Sequence, residues 1–394
     1  MSAKCLLIID DEPDIGALLC QVAAGFGFEA ASADNPDEFW SLYDATDPVV
    51  VILDLKIPSI DGVELLRTLA VRNCKAQILI MSGMDRRVLQ TALRLGKNHG
   101  LNIVGALEKP ISLTDIQKKL EEISARIVPV GVTDLRLALE ANQIVPYYQP
   151  KVNLVAPCGS RITGYEALAR WHHPKFGVIG PDKFIGMAEE EGLIDRLTEA
   201  IFSQMLEQQV AWCRQGIELS AAINLSPHLL GDLDLPDRYE RLCRSFGVDT
   251  ASVTVEVTES AAMSNPSITM EILTRLRLKG FGIALDDFGT GYSSLVQLHR
   301  LPFNELKIDR SFVMESDLND EAVTIVRAIA NLARSLDLDL CAEGVQSHRA
   351  LALVREIGCQ TAQGYLIGRP MPQDKFVDFL ARADQGVGGT AERT

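Results

Sequence analysis

Asp286 and Asp287 stand side by side where a short apolar run, Gly282-Ile283-Ala284-Leu285, ends inside the stretch FGIALDDFGTGYSSL. Such a run predicts a strand buried on both faces, with the two carboxylates at its end. Neighbouring strand residues point to opposite faces, so both acids serve one site only if the backbone turns there, and Gly289 and Gly291 permit a turn. A bare Asx turn is the structural alternative. The choice depends on whether other strand ends carry matching groups, and they do. Glu166 shares a face with Leu168 and Arg170. Asn224, Glu256 and Glu259 follow, then Lys307 with Asp309 two residues on, then Glu343 and Gln363. Carboxylates gathered on one rim repel one another unless cations sit among them. Oxygen-only donors favour Mg²⁺ or Mn²⁺ over zinc. A site so rich in acids suits two ions about 4 Å apart, which points to metal-dependent phosphodiester hydrolysis. Lys307 would orient water or neutralise charge, and the planar fork of Arg170 suits a phosphate or a guanine edge.

A second acidic set lies nearer the N-terminus. Cys5–Ile9 is an apolar strand that runs into Asp10, Asp11 and Glu12; Val49–Leu53 ends in Asp54; Ile78–Met81 ends in Ser82; and the strand Val104–Leu107 leads to Lys109. Helical stretches alternate with these strands, which predicts a doubly wound parallel sheet whose functional groups collect beyond the strands' carboxyl ends. A carboxylate beside Mg²⁺, with a hydroxyl and a lysine placed for phosphoryl oxygens, is a phosphate acceptor.

The elements that must position the first set come from the remaining chain. Strands are expected at Val145–Val152, Ile162–Arg170, Ser220–Leu225, Ser252–Val257, Phe281–Leu285, Glu305–Ile308, Asp339–Ala342 and about Gln363–Ile367, with helices such as Asp134–Ala141, Ile185–Gly216 and Glu321–Leu336 between them. Eight strands in this span predict a (β/α)₈ barrel with its site at the strands' carboxyl ends.

Composition agrees with two soluble α/β domains. The 394 residues are 47% hydrophobic and 23% charged, and 38 basic against 53 acidic side chains leave a net charge of -15, which disfavours nucleic acid as a partner. No apolar run approaches membrane-spanning length and the first residues do not read as a secretory signal, so a cytoplasmic location is expected. The eight cysteines show no zinc spacing, and reduced thiols are expected. The pair His172-His173 is read as a loop rather than as metal ligands.

Two resemblances sharpen these expectations. IIDDEPD, LDLKIPSIDG, MSG and EKP resemble the receiver domain of two-component response regulators over about residues 4–124. They imply phosphorylation of Asp54, one Mg²⁺ at Asp10, Asp11 and Asp54, switch residues Ser82 and Lys109, and a cognate sensor histidine kinase. Ala106 stands where that family carries an aromatic switch residue, and the interval from Ser82 to Lys109 is longer than usual.

From about 134 to 381, YEALARW, INLS, EVTES, LDDFGTGYSSL, LKIDRSF, CAEGV and QGYLIGRPM resemble the EAL domain. That implies a TIM-like barrel that hydrolyses cyclic di-GMP to linear pGpG with Mg²⁺ or Mn²⁺. By position, Glu166, Asn224, Glu256 and Asp286 would hold one metal, and Asp286 and Asp287 a second. Lys307 would hold the catalytic water with Glu343 assisting, Glu259 would anchor the loop after the fifth strand, and Gln149, Arg170, Asp309 and Gln363 would line the substrate groove. The domain plan is thus a receiver at 1–124, a linker at 125–133, an EAL domain at 134–381 and a flexible tail at 382–394. A homo-oligomer, dimer or higher, is expected, the resemblance implying dimers through the barrel, with the receiver acting on the loop Phe288–Ser294 through domain packing or oligomer geometry. The rival reading is a cyclic di-GMP effector that signals without turnover.

Overall fold

The computed structural model describes residues 4–58, 60–84, 86–126, 130–155, 161–289, 298 and 300–386. The chain divides into two compact units at residues 129 and 130.

In the first unit, β1 (Lys4–Ile9), β2 (Phe28–Ala33) and β3 (Val50–Asp54) are followed by the two-residue strands β4 (Lys56–Ile57) and β5 (Ile60–Asp61), then β6 (Gln77–Ser82) and β7 (Ile103–Glu108). The main sheet is parallel throughout, in the order β2-β1-β3-β6-β7. Alternating side chains feed two cores: Leu7, Ile9, Val51, Leu53, Ile78 and Ile80 on one face, Leu6, Ile8, Val50, Ile52, Leu79 and Met81 on the other. Helices cover both faces and start at legible signals. Pro13 and Pro36 open two of them, and Asn35 and Asp61 accept hydrogen bonds from the amides of Glu38 and Glu64 at 2.9 and 2.8 Å. One extra residue between Ile103 and Gly105 is absorbed as an irregularity in β7, which takes up part of the long interval before Lys109.

The second unit holds β8 (Ile144–Asn153), β9 (Arg161–His173), β10 (Gly177–Ile179), β11 (Ser220–Asn224), β12 (Val253–Thr258), β13 (Gly282–Phe288), β14 (Glu305–Ile308), β15 (Asp339–Ala342) and β16 (Thr361–Ala362). Eight of these close a barrel in the order β8-β9-β11-β12-β13-β14-β15-β16, with β16 returning to β8, while β10 pairs as a hairpin on β9. β8 runs antiparallel to both neighbours. The connection from β8 to β9 is too short for a crossover helix, so reversal is the only way to pair them.

Four expectations need correction. The last barrel strand is Thr361–Ala362, not Gln363–Ile367, so Gln363 follows the strand instead of opening it. Gly364 lies at φ 157°, and a Cβ there would meet the backbone of Val345 at 2.2 Å, so the chain must leave the sheet at this point. His172-His173 belongs to β9, extended by its pairing with β10, and is not a loop. The expected helix Ile185–Gly216 is two helices, Ile185–Glu190 and Ile194–Cys213. At the domain edges, helices reach further than Pro and Gly content suggests. One runs Leu113–Arg126, the next starts at Val132, and the helix Gln373–Gly386 takes in the first residues of the expected tail.

Candidate metal and hydrolytic centre

β9, β11, β12, β13 and β14 are in parallel register, which sets their inward side chains at matching heights. Gln149 on β8 faces Glu166 on β9, Asn224 faces Glu256, and Glu256 faces Ala284 two residues below Asp286. The side chains meet in one network. Asn224 donates to Glu166 Oε1 at 2.6 Å, and Gln363 Nε2 donates to Glu166 Oε2 and to Glu343 Oε1, each at 2.7 Å. Lys307, with no exposed side-chain surface, is the hub. Its Nζ lies 2.6 Å from Glu256 Oε2, 2.6 Å from Glu343 Oε1, 3.0 Å from Asp286 Oδ1 and 3.7 Å from Glu166 Oε2.

The question of how two adjacent aspartates share a site is answered by Asp287. It adopts the left-handed region at φ 56°, and the pairing of β13 with β14 slips between Leu285 and Phe288. The turn is therefore made at the aspartate itself. Oxygens of Asp286, Asp287 and Glu343 consequently lie within 4.8 Å of one another. Gly289 follows at φ 100° and donates its amide to Glu259 Oε2 at 3.0 Å. A side chain at Gly289 would meet Phe312 at 2.9 Å. Of the expected loop Phe288–Ser294, residues 290–294 lie outside the described residues, as does Gly291.

Burial sets the electrostatics. It raises the pKa of Glu166, with Glu256 adding to the effect, and pushes Glu343 well up. Burial, together with Asp286 and Asp309, pushes Asp287 up to about 7. Glu256 goes the other way: burial is outweighed by Lys151 and Lys307, which hold it at about 2. Burial also opposes the Lys307 charge, but the surrounding carboxylates win and its pKa is raised.

Six carboxylates, Glu166, Glu256, Asp286, Asp287, Glu305 and Glu343, thus face the two buried ammonium groups of Lys151 and Lys307, a crowding of acids that a hard cation would relieve. Gln363 Oε1 is buried and has no hydrogen-bond partner among the described residues, which leaves one more oxygen donor in the same wall. The residues present fit Mg²⁺ or Mn²⁺.

The remaining expected groups sit around this network. Gln149 is buried and donates to the Gly368 carbonyl at 3.3 Å. Asp309 caps the helix Arg310–Glu315 by accepting from the Ser311 amide at 2.9 Å. Arg170 is half-buried at the mouth, 5.8 Å above the Tyr147 ring, and bonds the Ala169 carbonyl rather than the acids. His172 Nε2 lies 3.1 Å from the Tyr147 hydroxyl, which gives it a structural partner.

Sequence reasoning passed over Lys151. It is buried on β8 and its Nζ lies 2.6 Å from Glu256 Oε1, with Glu305 Oε1 at 3.9 Å. It stands two residues beyond Gln149 and shares its face.

The first unit has its own cluster at the carboxyl ends of β1 and β3. Asp10, Asp11 and Asp54 each place an oxygen within 4.8 Å of the others. Lys109 reaches Asp54 Oδ2 at 2.6 Å, Asp10 Oδ2 at 2.8 Å and Glu12 Oε1 at 3.2 Å. Burial raises the pKa of Asp10. The buried Ser82 hydroxyl accepts from the Met84 amide at 3.0 Å, and the Lys109 amide donates to the Ser82 carbonyl at 2.8 Å. Ala106, on β7, packs into the core.

Comparisons with known proteins match each of the two units to a family. Residues 6–121 match the response regulator receiver domain and residues 132–370 the EAL domain. Cyclic di-GMP phosphodiesterase RocR of Pseudomonas aeruginosa is 33% identical over 95% of this chain and 98% of its own length. Bifunctional diguanylate cyclase/cyclic di-GMP phosphodiesterase MucR of the same species is 41% identical over 63% of this chain, which spans 36% of that longer protein. A structure titled PaMucR phosphodiesterase, c-di-GMP complex, superposes with a TM-score of 0.59 at 41% identity, covering 62% of this chain and 98% of that one. With the acid-lined barrel behind one match and the Asp-Lys cluster behind the other, the chain belongs to the EAL domain family and carries a response regulator receiver domain ahead of it.

Proposed function

We propose that this response regulator hydrolyses cyclic di-GMP to linear pGpG in the barrel, under control of phosphorylation at Asp54. The observation that carries the reading is Lys307, fully buried and within 3.0 Å of Glu256, Asp286 and Glu343. Glu166, Asn224, Glu256 and Asp286 would hold one Mg²⁺ or Mn²⁺, and Asp286 with Asp287 a second. When bound, such ions supply Lewis acidity and make water acidic enough to attack at neutral pH.

The chain's own groups do the rest. Lys307 Nζ holds the attacking water and faces the charge that builds on the phosphoryl oxygens. Glu343, hydrogen-bonded to both Lys307 and Gln363, fixes the ammonium group in place. Gln149, Arg170, Asp309 and Gln363 orient the nucleotide at the mouth. Water adds to phosphorus as the bond to O3′ breaks, so one end leaves with a 5′-phosphate and the other with a 3′-hydroxyl that takes the proton. Glu259 keeps Gly289 against the site.

In the receiver, Asp54 accepts a phosphoryl group from a cognate histidine kinase, with one Mg²⁺ at Asp10, Asp11 and Asp54 and with Lys109 and Ser82 on the phosphoryl oxygens. The protein works as a homo-oligomer, dimer or higher. Chromatography of cyclic di-GMP incubated with the purified chain and Mn²⁺, with and without a small phosphodonor, tests the whole reading. Product formation at a rate that changes with the phosphodonor is expected. Bound but intact nucleotide would instead make the chain a sensor.

A further inference from the structure

Each carboxylate that holds the Lys307 ammonium is itself tied down by a further group. Gln363 Nε2 donates to Glu343 at 2.7 Å, the Asp287 amide donates to Asp286 at 3.0 Å, and Lys151 Nζ donates to Glu256 Oε1 at 2.6 Å while Lys307 takes Oε2 at 2.6 Å. Lys151 completes the set. It pairs with Gly164 on β9, two residues before Glu166, so it lies a layer deeper than the acids of the mouth. Among the described residues its ammonium forms ion pairs only with Glu256 and, at 3.9 Å, with Glu305. Lys151, Glu256 and Lys307 are all buried, so the two bonds to Glu256 are charge-assisted and dry. A buried ion pair stabilises a fold no better than apolar residues of the same volume. Stability alone therefore does not account for Lys151 and Glu305.

We propose that Lys151 is a positioning residue for the hydrolysis: acting through Glu256, it fixes where Lys307 Nζ stands. This rests on the reading of Lys307 as the group that holds the attacking water. A carboxylate bonded at one oxygen only is free to turn about its last torsion, which is broad, and it would carry the ammonium with it. A second ammonium on the other oxygen fixes the plane of the carboxylate. Lys307 is then held at a set point between Glu256, Asp286 and Glu343, and a group placed in advance costs no reorganisation when charge builds on the phosphoryl oxygens. A misplacement of about 1 Å in a reacting group costs on the order of 10²-fold in rate.

The double substitution K151M/E305L removes the tether together with its other partner and leaves the net buried charge unchanged. K151R keeps a cationic donor for Glu256 Oε1. Steady-state turnover of cyclic di-GMP by the full chain, at Mn²⁺ concentrations shown by calorimetry to saturate each variant, separates kcat from KM, and melting temperatures show which variants are folded. K151M/E305L is expected to lose about 10- to 100-fold in kcat with KM kept, because the groups that meet the nucleotide are untouched. K151R is expected to recover most of that loss. A folded double variant with the parent's kcat overturns the role of Lys151, as does a loss confined to KM, or a K151R as slow as the double variant. Should the double variant fail to fold, K151M read against K151R decides in the same way. A parent chain without turnover overturns the proposed function and this role together, whereas turnover by the parent matched by the double variant overturns this role alone.

Discussion

The chain carries the same small kit twice, three carboxylates within 4.8 Å of one another and a lysine bonded to them, and builds it in two different settings. In the receiver the kit lies at the edge of an open sheet: Asp11 is exposed and the Lys109 side chain keeps 15% of its surface. In the barrel it is enclosed: Lys307 keeps none, and Glu166, Glu256 and Asn224 add further donors. Under the proposed reading, the open cluster would admit a kinase's phosphohistidine. A closed one excludes bulk water, strengthens every charge interaction inside it and holds a small substrate. In the reading proposed above, like residues would serve as a phosphate acceptor in one place and as a hydrolytic centre in the other.

That contrast can be broken by crossed substitutions. D54N is expected to abolish phosphate incorporation from a small phosphodonor, read as the loss of the mass increment, while K307A incorporates it as the parent does. On turnover the order reverses: K307A is expected to lower kcat by about 10³-fold, the scale for removing a preorganised charge from a reacting centre. Loss of phosphate uptake in K307A would show that the two clusters are not independent. E259A, which takes the acceptor from the Gly289 amide, is expected to cost about 10- to 100-fold in kcat/KM, as for a hydrogen bond to a charged group.

The pH dependence is gentler. Asp287, pushed up to about 7, binds a proton in competition with any cation, so Mn²⁺ affinity at the barrel should weaken below neutral pH, by at most about tenfold per unit, with proton release visible in calorimetry. The stability that this protonation gives the metal-free fold is fully present below the ordinary carboxylate pKa. It is lost as pH rises through about 7. Manganese affinity flat from pH 6 to 8 would contradict the shift.

What was legible in the sequence follows from the same physics. Buried parallel strands announce themselves as apolar runs, and a polar residue at the end of such a run marks a site, so Asp10, Asp54, Glu256, Asp286 and Lys307 could be placed before any coordinates. Gln363 was placed on the wrong side of its strand, because the exit there is enforced by the close approach of Gly364 to Val345, a tertiary constraint with no local pattern. The turn at Asp287 was assigned to the glycines after it, since a non-glycine residue in the left-handed region costs energy that only the assembled site repays. Lys151 escaped notice because a lone lysine on a strand ordinarily reaches solvent, and only closure of the barrel shows that it points at Glu256.

The central claim is that water is added to a phosphodiester inside the barrel. Turnover of cyclic di-GMP in ¹⁸O-labelled water, read by mass spectrometry, tests it most directly. The account predicts pGpG with one heavy oxygen in its terminal phosphate, formed by the parent chain and about 10³-fold more slowly by K307A. Intact cyclic dinucleotide, or product without the label, would contradict it.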